Sequence, residues 1–435
     1  MTELSVLVLG SGGREHALAL ALSRDPAVSA LHCAPGNPGT AAIATNHPVE
    51  AQDGAAVAGL ARRLGVNLVV IGPEGPLVAG VADAVRAAGI ACFGPSAAAA
   101  QLEGSKQFAK GVMVAAGVPT AASVYCASVP EVAAAIDRFG PPYVVKQDGL
   151  AAGKGVIVTP DRDAALAHAA GALPAIVEEY LDGPEVSLFV ITDGEAAFPL
   201  TPAQDFKRVG DGDEGPNTGG MGSYSPLEWA PAGLVDEVLA TVVRPTLAEM
   251  ARRGTPFTGL LYVGLALTSR GVRVVEFNCR FGDPETQVVL SLIRWPLGQM
   301  LDAAAHGRLG RHLAEAGPFE SGPFGVGVVV AAQGYPGAPA KGGRIAGPRL
   351  FGSTDQVHIV HAGTALDADG HLVAAGGRVL TVVATGESLA QCRADAYAAV
   401  DALEFPTGFC RRDIALKAAE GRLSTPPAGP AKELP

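Results

Sequence analysis

What the chain has little of narrows its chemistry before any motif is read. Its six cysteines (Cys33, Cys92, Cys126, Cys279, Cys392 and Cys410) stand apart, with no C-x-x-C pair and no histidine at ligand spacing. They predict reduced, buried thiols and argue against a disulfide scaffold or a structural zinc centre. No stretch of about 18 apolar residues runs free of charges or turn breakers, so no membrane span is expected. The opening MTELSVLVLGSGG has no basic segment before a long apolar run, which predicts no secretory leader and a cytoplasmic protein. Positive charge is in deficit: 32 Lys and Arg stand against 43 Asp and Glu, and the formal charge of −11 argues against a nucleic-acid partner.

What is present is apolar residue and glycine. Hydrophobic residues make up 48% against 17% charged, which excludes a disordered chain, and 435 residues are too many for one core. The 56 glycines fit many tight turns in a loop-rich α/β enzyme. SVLVLG, LHCAPG, LVVIGP and ACFGP are strands running into Gly/Pro turns, with a helix over 13–23 and Ala-rich helical stretches between them. That is a parallel sheet with crossover helices, a first domain over 1–103. A helix over 105–116 leads to a compact module at 124–186 containing SVYC, YVVKQDG, a short helix near 161–170 and AIVEEYL. Strands VSLFVIT, YVGLALT and VRVVEFN and a long helix over 232–252 form a core assigned to 104–123 and 187–324. A small αβ domain spans 325–425, and 426–435 reads as a frayed tail.

Gly10-Ser11-Gly12-Gly13-Arg14-Glu15-His16 joins a strand to a helix, so N–H groups and the helix dipole converge on an anion. A dinucleotide fold would want Gly in place of Glu15 and an acid after the second strand, so NAD is disfavoured. Arg14 and His16 favour a phosphorylated substrate, with the Gly12 and Gly13 N–H groups free to hold it. Asp148-Gly149-Leu150-Ala151-Ala152-Gly153-Lys154-Gly155 is no Walker loop, because no Ser or Thr follows Lys154. It is a hairpin whose lysines, with Lys146 on the entering strand, can cover triphosphate oxygens. The acids ending AIVEEYL suit an adenine slot read by backbone groups. In VVEFNCRFGDPETQ, strand alternation puts Glu276 and Asn278 on one face, two oxygen ligands of the kind that hold Mg2+. Arg280 follows at that edge, with Asp283 beyond it. Gln204-Asp205-Phe206-Lys207-Arg208 through Asn217-Thr218-Gly219-Gly220-Met221-Gly222 reads as a long substrate loop.

Taken in order, GSGGREHAL, LEGSK, KQDGLAAGKGV, EEYLDGPE, GPNTGGMG and EFNCRFGDPETQ resemble the ATP-grasp ligases, and among them the phosphoribosylamine–glycine ligase family. With HAGT and GGRVL the resemblance covers essentially the whole chain. It implies an α/β fold: an N-terminal parallel-sheet domain, a split ATP-grasp pair and a small C-terminal αβ domain. It also implies joining of glycine to phosphoribosylamine with ATP and Mg2+ or Mn2+. Lys106 and Lys146 would contact the ATP phosphates, with Gly153, Lys154 and Gly155 covering them. Glu178, Glu179 and Leu181 would frame adenine, Glu185 would meet ribose, and Glu276 with Asn278 would bind the metal. Gly12, Gly13, Arg14 and Glu15 are expected at the phosphoribosyl end. Asp205, Lys207, Arg208, Asn217, Thr218, Gly219, Arg280 and Asp283 are expected around the other substrate groups. Within that set Arg280 is expected to take the glycine carboxylate and Asp205 the ammonium. Two departures stand out: Phe206 replaces the His of the usual QDHKR, and the segment from Val158 to Ile176 is about ten residues short. A carboxylase-type ATP-grasp and a non-catalytic nucleotide sensor are the competing readings, and monomer and weak homodimer both stay open.

Overall fold

SVLVLG is apolar on both faces of its strand, which suits a position covered by helices on either side. In the computed structural model, which describes residues 3–150, 155–352 and 356–427, it is the central strand Leu4–Gly10. Five parallel strands run in the order Thr45–Asn46, Val28–Pro35, Leu4–Gly10, Leu68–Ile71, Ala91–Phe93. The winding direction reverses between Leu4–Gly10 and Leu68–Ile71, so the loops after these two strands open a crevice at their carboxyl ends. The expected helix is Gly13–Ser23. Glu15 closes its first turn: its Oε2 accepts the Gly12 N–H at 2.6 Å.

Chain direction then changes from parallel to antiparallel. The central sheet orders Ala197–Pro199, Glu185–Thr192, Gly259–Thr268 and Gly271–Asn278. The small module pairs Ser123–Cys126, Ala175–Glu178, Tyr143–Gln147 and Val156–Thr159, backed by helices Val129–Phe139 and Arg162–Ala170. Its core (Cys126, Val132, Ile136, Val145, Ala165, Val177 and neighbours) is separate from the main ones. The shortened stretch after Val158 still holds a full helix, with Asp161 capping it through Asp163 and Ala164 N–H groups. Gly153 and Lys154 lie outside the described residues.

The long helix expected over 232–252 is a continuous run with a wide turn in it: α-helix at Leu234–Val238 and Arg244–Arg252, π-helix at Leu239–Val243. Pro245 explains the defect, since it lacks an N–H and its ring crowds the carbonyl four residues back. Thr246 Oγ1 donates to the Val242 carbonyl at 2.7 Å beside the gap.

The C-terminal sheet holds a feature the sequence did not announce. Its order is Gln204–Asp205, Gly222–Ser225, Phe324–Ala332, Arg378–Gly386, Val357–His361, with Gly408–Phe409 also on Phe324–Ala332. Of the two strands that bracket residues 206–221, Gly222–Ser225 pairs with Phe324–Ala332, and Gln204–Asp205 joins the sheet through Gly222–Ser225. The first helix docks on the same sheet. Ala17 packs with Val288, Val360 and Val383, and the His16 Nδ1 accepts the His361 N–H at 2.8 Å. Asn37 ties the junction together by donating to the Ser11 and His361 carbonyls at 2.9 and 3.0 Å.

Burial, followed by the nearby His361 and His358, pushes the His16 imidazole down to about 3, and burial with Arg24 pushes His358 down to about 4. In the unfolded chain both titrate near 6.5, so between there and pH 4 the unfolded state binds more protons. The stability this contributes is complete above pH 6.5 and is lost as pH falls. We predict that melting curves from pH 7 to pH 4.5 show a falling midpoint. His16→Asn, which keeps an acceptor for His361, should remove roughly 2–3 kcal/mol of that fall. An unchanged slope in the variant would refute the assignment.

Candidate active site

The strand Gly271–Asn278 carries the acidic edge. Val272 and Val274 face the core, and strict alternation would send Glu276 to the same side. A bulge intervenes: Leu265 pairs with Val274 but Gly264 with Glu276, leaving Val275 as an extra residue. Phe277 therefore takes the buried face, and Glu276 and Asn278 share the open one. The carbonyls freed at the bulge are claimed by the linker and the small module. Thr120 Oγ1 donates to the Val274 carbonyl at 2.7 Å and Lys146 Nζ to that of Val275 at 3.2 Å.

Among the described residues the Glu276 carboxylate has no hydrogen bond or ion pair. Burial pushes it up, but the surrounding Lys207, Lys146, Lys106 and Arg280 outweigh burial and hold it below the usual carboxylate range. An ionised carboxylate without a direct partner, beside an Asn oxygen on the same face, is a donor set that fits Mg2+ or Mn2+.

The end expected to take the phosphates is built from two structural pieces. Asp148 caps the helix Lys106–Ala115, accepting the Lys106 N–H at 2.6 Å, and the Lys106 Nζ donates to the Gly149 carbonyl at 2.9 Å. Lys146 is buried and meets Glu178 Oε2 at 2.8 Å. Gly155 accepts the Gln147 N–H at 2.7 Å and closes the hairpin. The Glu179 carboxylate is turned off the slot: it accepts the Ala122 N–H at 3.0 Å and pairs with Arg270 at 2.9 Å. What it leaves for a purine is main chain, because the Glu179 carbonyl and the Leu181 N–H make no backbone hydrogen bond among the described residues. Glu185 is already paired, with Lys207.

At the crevice of the parallel sheet the expectations need correcting. The Gly12 N–H is not free, and Glu15 is a cap rather than a ligand group: buried, with its other oxygen on Arg14 Nε at 2.6 Å. The N–H groups of Gly13 and Arg14 remain without a backbone partner among the described residues. Arg14 reaches across to Glu74 at 3.4 Å, and Glu74 also meets Arg280 at 3.3 Å. Burial raises the Glu74 carboxyl, yet Arg14 and Arg280 together bring it down to about 2. Arg280 does not stand free beside Glu276 and Asn278: Glu103 holds it at 3.1 Å and Asn278 Oδ1 accepts from it at 3.3 Å. Nor is Asp283 its partner. That carboxylate takes Gln287 Nε2 at 2.8 Å and Arg378 at 3.3 Å.

The 204–222 segment divides its side chains between two faces. Burial, with Glu285 and Glu185 adding to it against Lys207, pushes the Asp205 carboxyl up to about 7. Glu285 is buried against Ser187 and Tyr262, at 3.0 and 3.1 Å. Phe206 points the other way, under the guanidinium of Arg411 at 4.9 Å from its ring. Arg208 turns outward to the Gly215 carbonyl at 2.8 Å, and Asn217 lies opposite it on the same hairpin. Thr218 bonds the Lys207 carbonyl and the Gly220 N–H, a loop-shaping role. Gly219 is gripped from the C-terminal sheet: its N–H donates to Tyr335 Oη at 2.9 Å and its carbonyl accepts from Arg378 at 2.5 Å.

Sequence reasoning missed Glu74, Glu103, Lys110, Glu285, Tyr335 and Arg378. A signal existed for the first two. Glu74 follows the strand next to the glycine loop at the winding reversal, where ligands gather, and Glu103 lies in the LEGSK motif.

Comparison with known proteins agrees with this layout. The phosphoribosylglycinamide synthetase N domain matches residues 4–103, its ATP-grasp (A) domain residues 104–286 and its C domain residues 325–417. A phosphoribosylamine–glycine ligase of Streptomyces coelicolor is 60% identical, covering 96% of this chain and 100% of the relative. A crystal structure of phosphoribosylamine–glycine ligase from Thermotoga maritima superposes with a TM-score of 0.81 at 34% identity, covering 95% of this chain and 100% of that one. The biotin carboxylase domain of Hydrogenobacter thermophilus 2-oxoglutarate carboxylase shares the fold alone, with a TM-score of 0.72 at 15% identity, over 98% and 97% of the two chains.

The loop gripped by Arg378 leaves no room at Gly220. Its φ is +109°, and a Cβ there would lie 2.4 Å from Pro284 Cδ. Gly220→Ala should lower stability by about 1–3 kcal/mol and cut turnover, since the loop must leave the Asp283–Pro284 turn. A variant with the parent's melting temperature and rate would show that the loop tolerates displacement.

Proposed function

The chain belongs to the phosphoribosylglycinamide synthetase family, and from that premise we infer that it joins glycine to phosphoribosylamine, converting ATP to ADP and phosphate. The product is glycinamide ribonucleotide, a step of de novo purine biosynthesis. The observation that carries the reading is the Glu276 carboxylate, which has no direct partner among the described residues and is surrounded by four cations, on one face with Asn278. Charge so arranged suits a triphosphate with its metal.

Glu276 and Asn278 would hold Mg2+ or Mn2+, which supplies neutralisation of the triphosphate when bound. Lys106 and Lys146 orient the phosphates, and the main chain at Glu179–Leu181 reads adenine. A glycine carboxylate oxygen attacks the γ-phosphorus while the bond to ADP breaks. The amine of phosphoribosylamine then attacks the acyl carbon, the bond to phosphate breaks, and the nitrogen gives up a proton. Asp205, raised to about 7 by burial and neighbouring acids, is placed to pair with the glycine ammonium. Arg280 is oriented by Glu74 and Glu103 for the glycine carboxylate. The Gly13 and Arg14 N–H groups and the Arg14 side chain receive the ribose phosphate.

The defining measurement is ADP formation with phosphoribosylamine generated in situ. Release should require glycine, and bicarbonate should not replace it; bicarbonate-dependent turnover would favour carboxylation instead. Glu276→Gln keeps shape and removes charge, so turnover should fall about 10²-fold or more. Near-normal activity at ordinary Mg2+ would remove Glu276 from the metal site. Arg14→Ala should raise the KM for phosphoribosylamine and spare that for ATP. An equal rise in both would tell against the phosphate assignment.

A further inference from the structure

Behind the phosphate end lie three charges that are nearly sealed from solvent: Lys110 at 8%, Lys146 at 6% and Glu178 at 3% exposure. Glu178 divides its oxygens between the two lysines, Oε1 to Lys110 at 3.0 Å and Oε2 to Lys146 at 2.8 Å. An ammonium has three donors. All three of Lys110 are occupied, the others by Thr120 Oγ1 at 2.9 Å and the Ala121 carbonyl at 3.1 Å. Lys146 uses one on Glu178 and one on the Val275 carbonyl, which among the described residues leaves one N–H to offer. Lys110 is one helical turn beyond Lys106 on the helix Lys106–Ala115, so one helix supplies both lysines.

The arithmetic of charge then matters more than any single contact. Two cations and one anion leave the cluster with one net positive charge. Without Lys110 the Lys146–Glu178 pair would be neutral, one buried carboxylate oxygen would lose its partner, and Lys146 would be drawn onto the acid. We propose that Lys110 is a positioning residue that never touches the nucleotide. By neutralising Glu178 it keeps the charge and the third donor of Lys146 available to the triphosphate. The proposal rests on the assignment of Lys146 to the ATP phosphates. Thr120 deepens the coupling, because its hydroxyl both accepts from Lys110 and donates to the Val274 carbonyl at the bulge. The lysine thereby also locks the strand that presents Glu276.

Equilibrium titrations of the full-length protein with ATP and with adenosine, both with Mg2+, test the idea. Lys110→Met should weaken ATP binding about tenfold or more and leave adenosine within about twofold, since only the phosphates sense the lost charge. Lys110→Met combined with Glu178→Gln restores one net positive charge and should recover most of the ATP affinity. Equal weakening of ATP and adenosine, or no recovery in the double variant, would overturn the proposal. Lys146→Met is the reference arm. If it weakens ATP while Lys110→Met does not, the role of Lys110 fails alone; if it leaves ATP binding unchanged, the assignment of Lys146 fails. Should Lys110→Met not fold by circular dichroism, Lys110→Arg decides: retained ATP affinity supports the charge argument and a tenfold loss overturns it.

Discussion

One extra residue in a strand governs how the acidic edge is presented. Had Gly271–Asn278 run without its bulge, Glu276 would share the core face with Val272 and Val274. The bulge redirects it, and a bulge needs partners for the carbonyls it throws out of the ladder. Thr120 and Lys146 are those partners. The linker into the small module and the module itself are thus fastened at the point where the Glu276 and Asn278 side chains are aimed. Because the module's core is separate from the rest, these polar contacts form part of its mechanical link.

The acids and bases around the crevice show a second regularity. Hardly any cation there stands alone. Arg14 and Arg280 share Glu74, Arg280 also takes Glu103, Lys207 takes Glu185, and Lys110 and Lys146 share Glu178. Such pairing fixes long side chains before a substrate arrives, which lowers the reorganisation needed in the transition state. Among the described residues the Glu276 carboxylate has no such direct partner, and the cations around it act on it only at a distance.

Much of this was legible in the chain because it is local. The Gly13–Ser23 helix follows from a glycine turn before an apolar helical run, and the parallel sheet from apolar strands ending in Gly/Pro turns. Glu276 and Asn278 were placed on one face by their own spacing, though the bulge that makes this compatible with Val272 and Val274 leaves no mark in the sequence. What stayed hidden is partnership at long range. Nothing near Arg280 announces Glu74 or Glu103, and nothing near Glu179 announces Arg270. Phe206 could be read as a departure, but only the fold shows it beneath Arg411, on the face opposite Asp205 and Lys207. Glu15 was misassigned because a capping carboxylate and a ligand carboxylate look alike beside a glycine loop.

The shared C-terminal sheet has a consequence for the birth of the protein. Gly222–Ser225 meets Gln204–Asp205 on one side, but its other neighbour is Phe324–Ala332, about a hundred residues downstream. The loop that Arg378 and Tyr335 grip waits longer still. During synthesis the N-terminal sheet can close on itself while these middle strands remain an open edge, since domains fold in the order they emerge. The ligase active site is therefore one of the last things this chain can finish. A chain cut off before Phe324–Ala332 has a folded front half with an unpaired strand edge, a better substrate for a chaperone than for ATP.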